Sequence, residues 1–190
     1  VRLIEGGAEI TDGKFGFFEK SVKLRNLMFR SPEGKTPLHY AALYNQTGIA
    51  MYIVGESAVY GRDNVVQAQD YDGRTPLHDA CSGGSYDVAS YLIASGAQID
   101  AVDTAGKTPL LMEIPVDCQR RIYQLLIANR ASVNHKDLMG DTVLHVVTRQ
   151  NSNADLLQYL VEEGAFVNER NKNGDIPLSI AVLRRNKKHV

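Results

Sequence analysis

A nine-residue phrase returns five times along this chain: GKTPLHYAA at 34–42, GRTPLHDAC at 73–81, GKTPLLMEI at 106–114, GDTVLHVVT at 140–148 and GDIPLSIAV at 174–182. The leading glycines, Gly34, Gly73, Gly106, Gly140 and Gly174, stand 39, 33, 34 and 34 residues apart. A second phrase keeps step with the first: LIEGGAEI at 3–10, YLIASGAQID at 91–100, LLIANRASVN at 125–134 and YLVEEGAFVN at 159–168. Two phrases locked to one interval confine the chain to an array of like units. A unit this short cannot bury an apolar face by itself, so it must stack on its neighbours.

Each unit reads as turn, helix, helix. The lead-in (Asp70-Tyr71-Asp72-Gly73, Asp103-Thr104-Ala105-Gly106, Asp137-Leu138-Met139-Gly140) is turn chemistry, with Asp closing a local hydrogen bond and Gly free to take a positive φ. Thr-Pro then supplies an N-cap and a first helical residue whose missing N–H costs nothing there. Small pairs such as Ala41-Ala42 and Ala80-Cys81 let helices approach closely. The second helix has an apolar face (Val88, Tyr91, Leu92; Leu125, Leu126; Leu156, Leu157, Leu160), and Gly96 or Gly164 follows where a left-handed residue is wanted.

With TPLHxA and a period near 33 on the page, the chain resembles the ankyrin-repeat family. The resemblance implies an all-α solenoid of turn–helix–helix units with two inter-repeat insertions. It divides the chain into the tail of a repeat at 1–10, an insertion at 11–30, a repeat at 31–69 with an insertion near 60–65, repeats at 70–102, 103–136 and 137–170, and a partial repeat at 171–190. It also implies that Thr36, His39, Thr75, His78, Thr142 and His145 stitch turn to helix by hydrogen bonds.

One stretch, TPLHDACSGGS at 75–85, invites a different reading: Cys81 as nucleophile, His78 as base, Asp79 as its orienter and Gly83-Gly84 as an oxyanion loop. The array argues against it, because Thr75, His78, Ala80 and Cys81 fill slots that recur in other units, with His39 and His145 in the place of His78. No catalytic residue, cofactor site or metal site is expected. His39, His78 and His145 lie in separate units, each unit about 10 Å further along the stack, and cannot share an ion, and no phosphate-binding glycine loop is present.

Composition narrows the partners. A formal net charge of −1 provides no field to attract nucleic acid or anionic lipid, and no apolar run approaches the roughly 20 residues of a membrane span. Two cysteines make no disulfide framework, which fits a reducing, intracellular and cytoplasmic setting. The expected function is a monomeric, non-catalytic adaptor or scaffold that binds a protein partner along an extended surface. The alternative is a substrate-targeting or regulatory segment of a larger enzyme, channel or bacterial effector. The resemblance places binding residues at turn tips and on the exposed face of first helices. The candidates there are Tyr40, Tyr44, Tyr71, Arg74, Asp79, Lys107, Met112, Leu138, Met139, Asp141 and Arg149. Tyr71, Leu138 and Met139, with Tyr40, Tyr44 and Met112, form the expected hot-spot strip, since interfaces favour large apolar and aromatic residues.

The pattern also breaks. In the third unit Leu111 replaces His and Pro115 falls in the first helix, which should therefore end near Glu113. Val143 for Pro and Ile176 for Thr should weaken the caps of the next two units. Connections normally span 9 residues from alanine to glycine, but 15 separate Ala58 from Gly73 and 26 separate Ala8 from Gly34. The longer insertion mixes Phe15, Phe17, Phe18 and Phe29 with Lys and Arg; it reads first as a segment packed on the first repeats, and second as a partner-binding arm or a lipid- or nucleic-acid-touching element. The RRNKKH run at 184–189 reads as a solvated helix end. Neither terminus carries a polar cap, so more repeats or another domain are expected beyond them.

Overall fold

The computed structural model describes residues 29–59, 65–150 and 154–187. The repeat tail at 1–10, most of the insertion at 11–30 and most of the insertion near 60–65 lie outside the described residues. Helices and turns account for the regular structure, with no strand among the described residues. The helices are α1 (Pro37–Leu43), α2 (Thr47–Val59), α3 (Pro76–Ser82), α4 (Tyr86–Ala94), α5 (Gln119–Ala128), α6 (Val143–Arg149), α7 (Ala154–Glu162) and α8 (Pro177–Lys187), with 3₁₀ turns at Val65–Gln67 and Pro109–Leu111.

They form two layers. First helices pack in a row, α1 on α3, α3 on the 109–111 turn, that turn on α6, and α6 on α8. Second helices form a parallel row, α2 on α4 and α4 on α5. The row continues to α7 through Arg120, whose guanidinium lies 4.6 Å from the Tyr159 ring centre and donates to the Asp155 carbonyl at 3.2 Å. The core runs between the layers, with Leu38, Ile53, Leu77, Leu92, Leu110, Ile122, Leu126 and Leu160 all sealed from solvent. Close approach sets residue size: a Cβ on Gly83 would lie 2.0 Å from the Leu43 carbonyl oxygen, so only glycine permits α3 to end there.

Three of the first helices begin in the same way. Thr36 is extended, its hydroxyl accepts the backbone N–H of His39, and His39 Nδ1 lies 3.1 Å from the Thr36 nitrogen and 2.8 Å from its hydroxyl. Thr75 with His78 and Thr142 with His145 repeat the arrangement. The other ring nitrogen reaches the next unit: His39 Nε2 meets the Arg74 carbonyl at 2.9 Å, His78 the Lys107 carbonyl at 3.0 Å and His145 the Asp175 carbonyl at 3.1 Å. A histidine that accepts at Nδ1 and donates at Nε2 is neutral, and each ring joins two units.

Three expectations need correction. The first helix of the third unit does not reach Glu113; it is the single 3₁₀ turn Pro109–Leu111, after which Met112 is extended (φ −72°, ψ 153°). The Pro115 ring would clash with the carbonyl of Leu111 in a continued helix, and Ile114, preceding a proline, is driven out of the helical region. The cap of the fourth unit is not reduced, since Val143 leaves the full Thr142–His145 set intact. In the fifth unit Ile176 removes a hydroxyl, but Ser179, in the histidine slot, accepts the Ile176 N–H at 3.0 Å and donates to its carbonyl at 2.7 Å.

Candidate functional site

The turn tips form one continuous edge. In the second tip Asp70 Oδ1 accepts the N–H groups of Asp72 and Arg74, and Gly73 takes φ +75° to close the turn. Asp103, Asp137 and Asn171 do the same work in the tips that follow. Backbone hydrogen bonds then link tip to tip: Tyr71 N–H to the Glu33 carbonyl at 3.1 Å, Thr104 to Asp72 at 2.8 Å, Leu138 to Ala105 at 2.9 Å and Lys172 to Met139 at 2.8 Å. This ladder ties the backbones of successive tips together.

Along that edge stand Tyr71 at 70% exposure, Leu138 at 59% and Met139 at 52%. Tyr71 lies against Gly34 of the preceding tip, where an added Cβ would come 2.6 Å from its ring; Leu138 lies similarly over Gly106. Both therefore rest on backbone with one side and offer the other to solvent. Tyr44 is exposed at the end of α1. Tyr40 and Met112 are buried, which removes them from the exposed strip. The Tyr40 hydroxyl lies 3.4 Å from Glu33 of its own tip, and Met112, the residue after the 3₁₀ turn, belongs to the hydrophobic core.

The charged candidates divide between couplers and free groups. In the first two described tips the residue after the glycine faces the acid that opens the next tip. Lys35 Nζ lies 3.1 Å from Asp70 and also contacts buried Asp79, while Arg74 Nε is 3.7 Å from Asp103. Burial opposes the charge on Lys35, but the two carboxylates outweigh it and raise its pKa. In the fourth unit the polarity inverts: Asp141 replaces the cation, and Asn171, in the acid's slot, donates to it at 2.8 Å. Burial alone would raise the Asp141 carboxyl; Asn171 and the bonded Arg149 guanidinium hold it below the usual range. Asp79 and Asp141 thus hold units together and are buried from any partner. Lys107, in the same row, has no ion pair within 4.0 Å among the described residues and stands between the tips that carry Tyr71 and Leu138.

The structure also brings together groups that sequence spacing did not. His39, Asp70 and Asp79 place one ligand atom each within 4.8 Å of one another, a separation a metal could use. That place is already served by the Lys35 ammonium, and both His39 nitrogens are committed to Thr36 and the Arg74 carbonyl. The cysteine-nucleophile reading fails on the same grounds: burial pushes the Cys81 thiol far up, Asp79 is tied to Lys35, and both His78 nitrogens are occupied. One cleft, of about 420 Å³, opens where the third unit lacks a full first helix; Glu113, Ile114, Pro115, Val116, Arg149 and Gln150 line it. Gln119 and Gln150 both donate to the carbonyl of Ile114, at 3.0 and 3.2 Å. No helix of the described residues is long and apolar enough to cross a membrane.

A family model described as ankyrin repeats in three copies matches residues 13–112 and 116–190. No curated protein matched the chain. The fold is one that generally serves protein–protein interaction and is typically non-catalytic. With the motif, the two helical layers, the histidine stitches and the tip ladder all in place, the chain belongs to the ankyrin-repeat family.

Proposed function

We propose that this chain is a non-catalytic adaptor that holds an extended segment of a protein partner along its tip edge, centred on Tyr71, Leu138 and Met139. The observation that carries this is the exposure of three large apolar or aromatic side chains on tips whose backbones are bonded into one ladder. Folding gains little from leaving them in water, whereas rigid anchors at fixed spacing suit recognition, because less side-chain freedom is lost on binding. Lys107, without an ion pair among the described residues, offers a cation beside them for a carboxylate of the partner, while Arg74 and Arg149 keep part of their side chains accessible at the margin.

The test compares the parent chain with a Tyr71→Ala, Leu138→Ser, Met139→Ser variant of equal helicity by circular dichroism. Each is used to capture partners from a eukaryotic lysate, and each captured protein is then purified and titrated. A partner whose affinity falls at least tenfold with the variant supports the reading, since losing several anchors is worth more than about 1.4 kcal/mol. Equal affinity for both would place recognition elsewhere, with the 11–30 insertion the next segment to delete.

A further inference from the structure

The tips of the second, third and fourth units differ in height and charge, and each of these units has a neighbour on both sides. The second tip exposes Tyr71 and Asp72, the third Thr104 and Ala105, and the fourth Leu138 and Met139. Two tall anchors therefore flank a low middle tip, whose small side chains let a partner's backbone pass close.

The middle tip is followed by Lys107, whose backbone is held on both sides. Its N–H donates to Asp103 Oδ1 at 2.8 Å, and its carbonyl lies 3.0 Å from His78 Nε2. In the same slot Lys35 meets two carboxylates, Asp70 of the next tip and Asp79 of the next first helix. For Lys107 the second of those places is taken by Val146, buried and apolar. The first is Asp137, whose Oδ1 accepts the N–H groups of Met139 and Asp141. Lys107 forms no ion pair within 4.0 Å among the described residues. A cation on a fixed backbone with its charge unspent suits a carboxylate, because little freedom is lost when the pair forms. Exposed Asp72, one tip earlier, repels an acid there and directs it to the middle tip.

We propose, resting on the tip-edge reading above, that the partner segment is an extended peptide with an acidic residue midway between two large apolar residues. The spacing follows from geometry. Units repeat at about 10 Å, so Tyr71 and Leu138, two units apart, are separated by about 20 Å along the edge. An extended chain advances about 3.3 Å per residue, which sets the two apolar residues about six positions apart and the Asp or Glu about three from each. The order apolar, acidic, apolar is the same from either end, so it holds for both directions of the peptide.

A phage library of random peptides of about 12 residues, long enough to cross three tips, tests this when panned on the whole chain and on the Tyr71→Ala, Leu138→Ser, Met139→Ser variant. The expected outcome is enrichment, on the parent alone, of peptides with an Asp or Glu between two large apolar residues about six apart. A selected peptide and its acid-to-amide counterpart are then titrated by fluorescence anisotropy against the parent and a Lys107→Gln variant. The parent should bind the amide peptide about tenfold more weakly, whereas Lys107→Gln should tell the two peptides apart by less than about twofold. A Lys107→Glu chain panned on the same library should select Lys or Arg at the middle position. Enriched peptides that need Tyr71, Leu138 and Met139 but carry no acid between their anchors overturn this proposal and leave the tip edge as the binding surface. An equal loss of the amide peptide by parent and Lys107→Gln does the same. Peptides enriched equally on the triple variant, or no enrichment over bare support, overturn it together with the tip-edge reading.

Discussion

The Thr75 and Thr108 hydroxyls occupy the same slot in successive units and meet opposite fates. Thr75 bonds His78, whereas Thr108 has Leu111 in the histidine slot and its buried hydroxyl has no hydrogen-bond partner among the described residues. A buried polar group without a partner keeps its desolvation cost, while an isosteric apolar replacement avoids it. Thr75→Val should therefore cost about 1–2 kcal/mol and Thr108→Val close to nothing, or stabilise slightly, as read by urea unfolding. Histidine ionisation belongs to the same scale. Burial is the main reason the His39 pKa falls to about 4, although its bond to the Arg74 carbonyl pulls the other way. The folded state thus favours the neutral ring. Its contribution is complete above the unfolded value near 6.5 and is lost as pH falls from there toward 4, by about 1.4 kcal/mol per pH unit. Thermal unfolding between pH 7 and 4 should show that decline, and a His39→Gln variant, less stable at pH 7, should show a shallower one.

Among the elements, the second helices differ mainly in how they end. Gly96 and Gly164 turn the chain at φ +87° and +90°, and the same place after α5 is held by Arg130 at φ +68°. A side chain in the left-handed region costs about 1 kcal/mol, more than glycine loses by its extra freedom in the unfolded chain. Arg130→Gly should raise stability by about 0.5–1 kcal/mol, visible as a higher urea midpoint with unchanged slope. The first helices show where tertiary context overrides local pattern. TPLL at 108–111 starts like its relatives, but Pro115 blocks the next turn, so the third unit contributes a 3₁₀ turn to the inner row.

The whole molecule is a chain of neighbour contacts, so its stability is set at the seams between units. The seam between the fourth and fifth units depends on an inverted pair: Asn171 donates to Asp141 where an earlier unit has Lys35 against Asp70. Asn171→Asp would keep the two turn bonds that the Oδ1 atom accepts and lose only the donor, setting carboxylate against carboxylate. It should destabilise by about 1–3 kcal/mol at pH 7, with part of the loss recovered near pH 4 as one acid takes a proton. The seam between the third and fourth units lacks a histidine link, because Leu111 has replaced it. In hydrogen exchange at low urea, α6 amides should lose protection before those of α3.

The sequence by itself determined the architecture: a 33-residue interval, a Thr-Pro cap and a histidine three residues on are local instructions, and repetition makes each visible several times over. The same locality made Tyr71, Leu138 and Met139 legible as tip residues, because the tip is defined by its own Asp and Gly. Exposure was not legible in this way. Tyr40 and Met112 read as surface positions and are buried, and Asp79 and Asp141 read as partner contacts but are bound to Lys35 and to Asn171 with Arg149. The ties of Asp79 to Lys35 and of Asp141 to Asn171 join residues 44 and 30 positions apart, brought close only when one unit is laid on the next. Burial and charge pairing across such a seam are properties of two surfaces at once, and only the tertiary structure decides which surfaces meet.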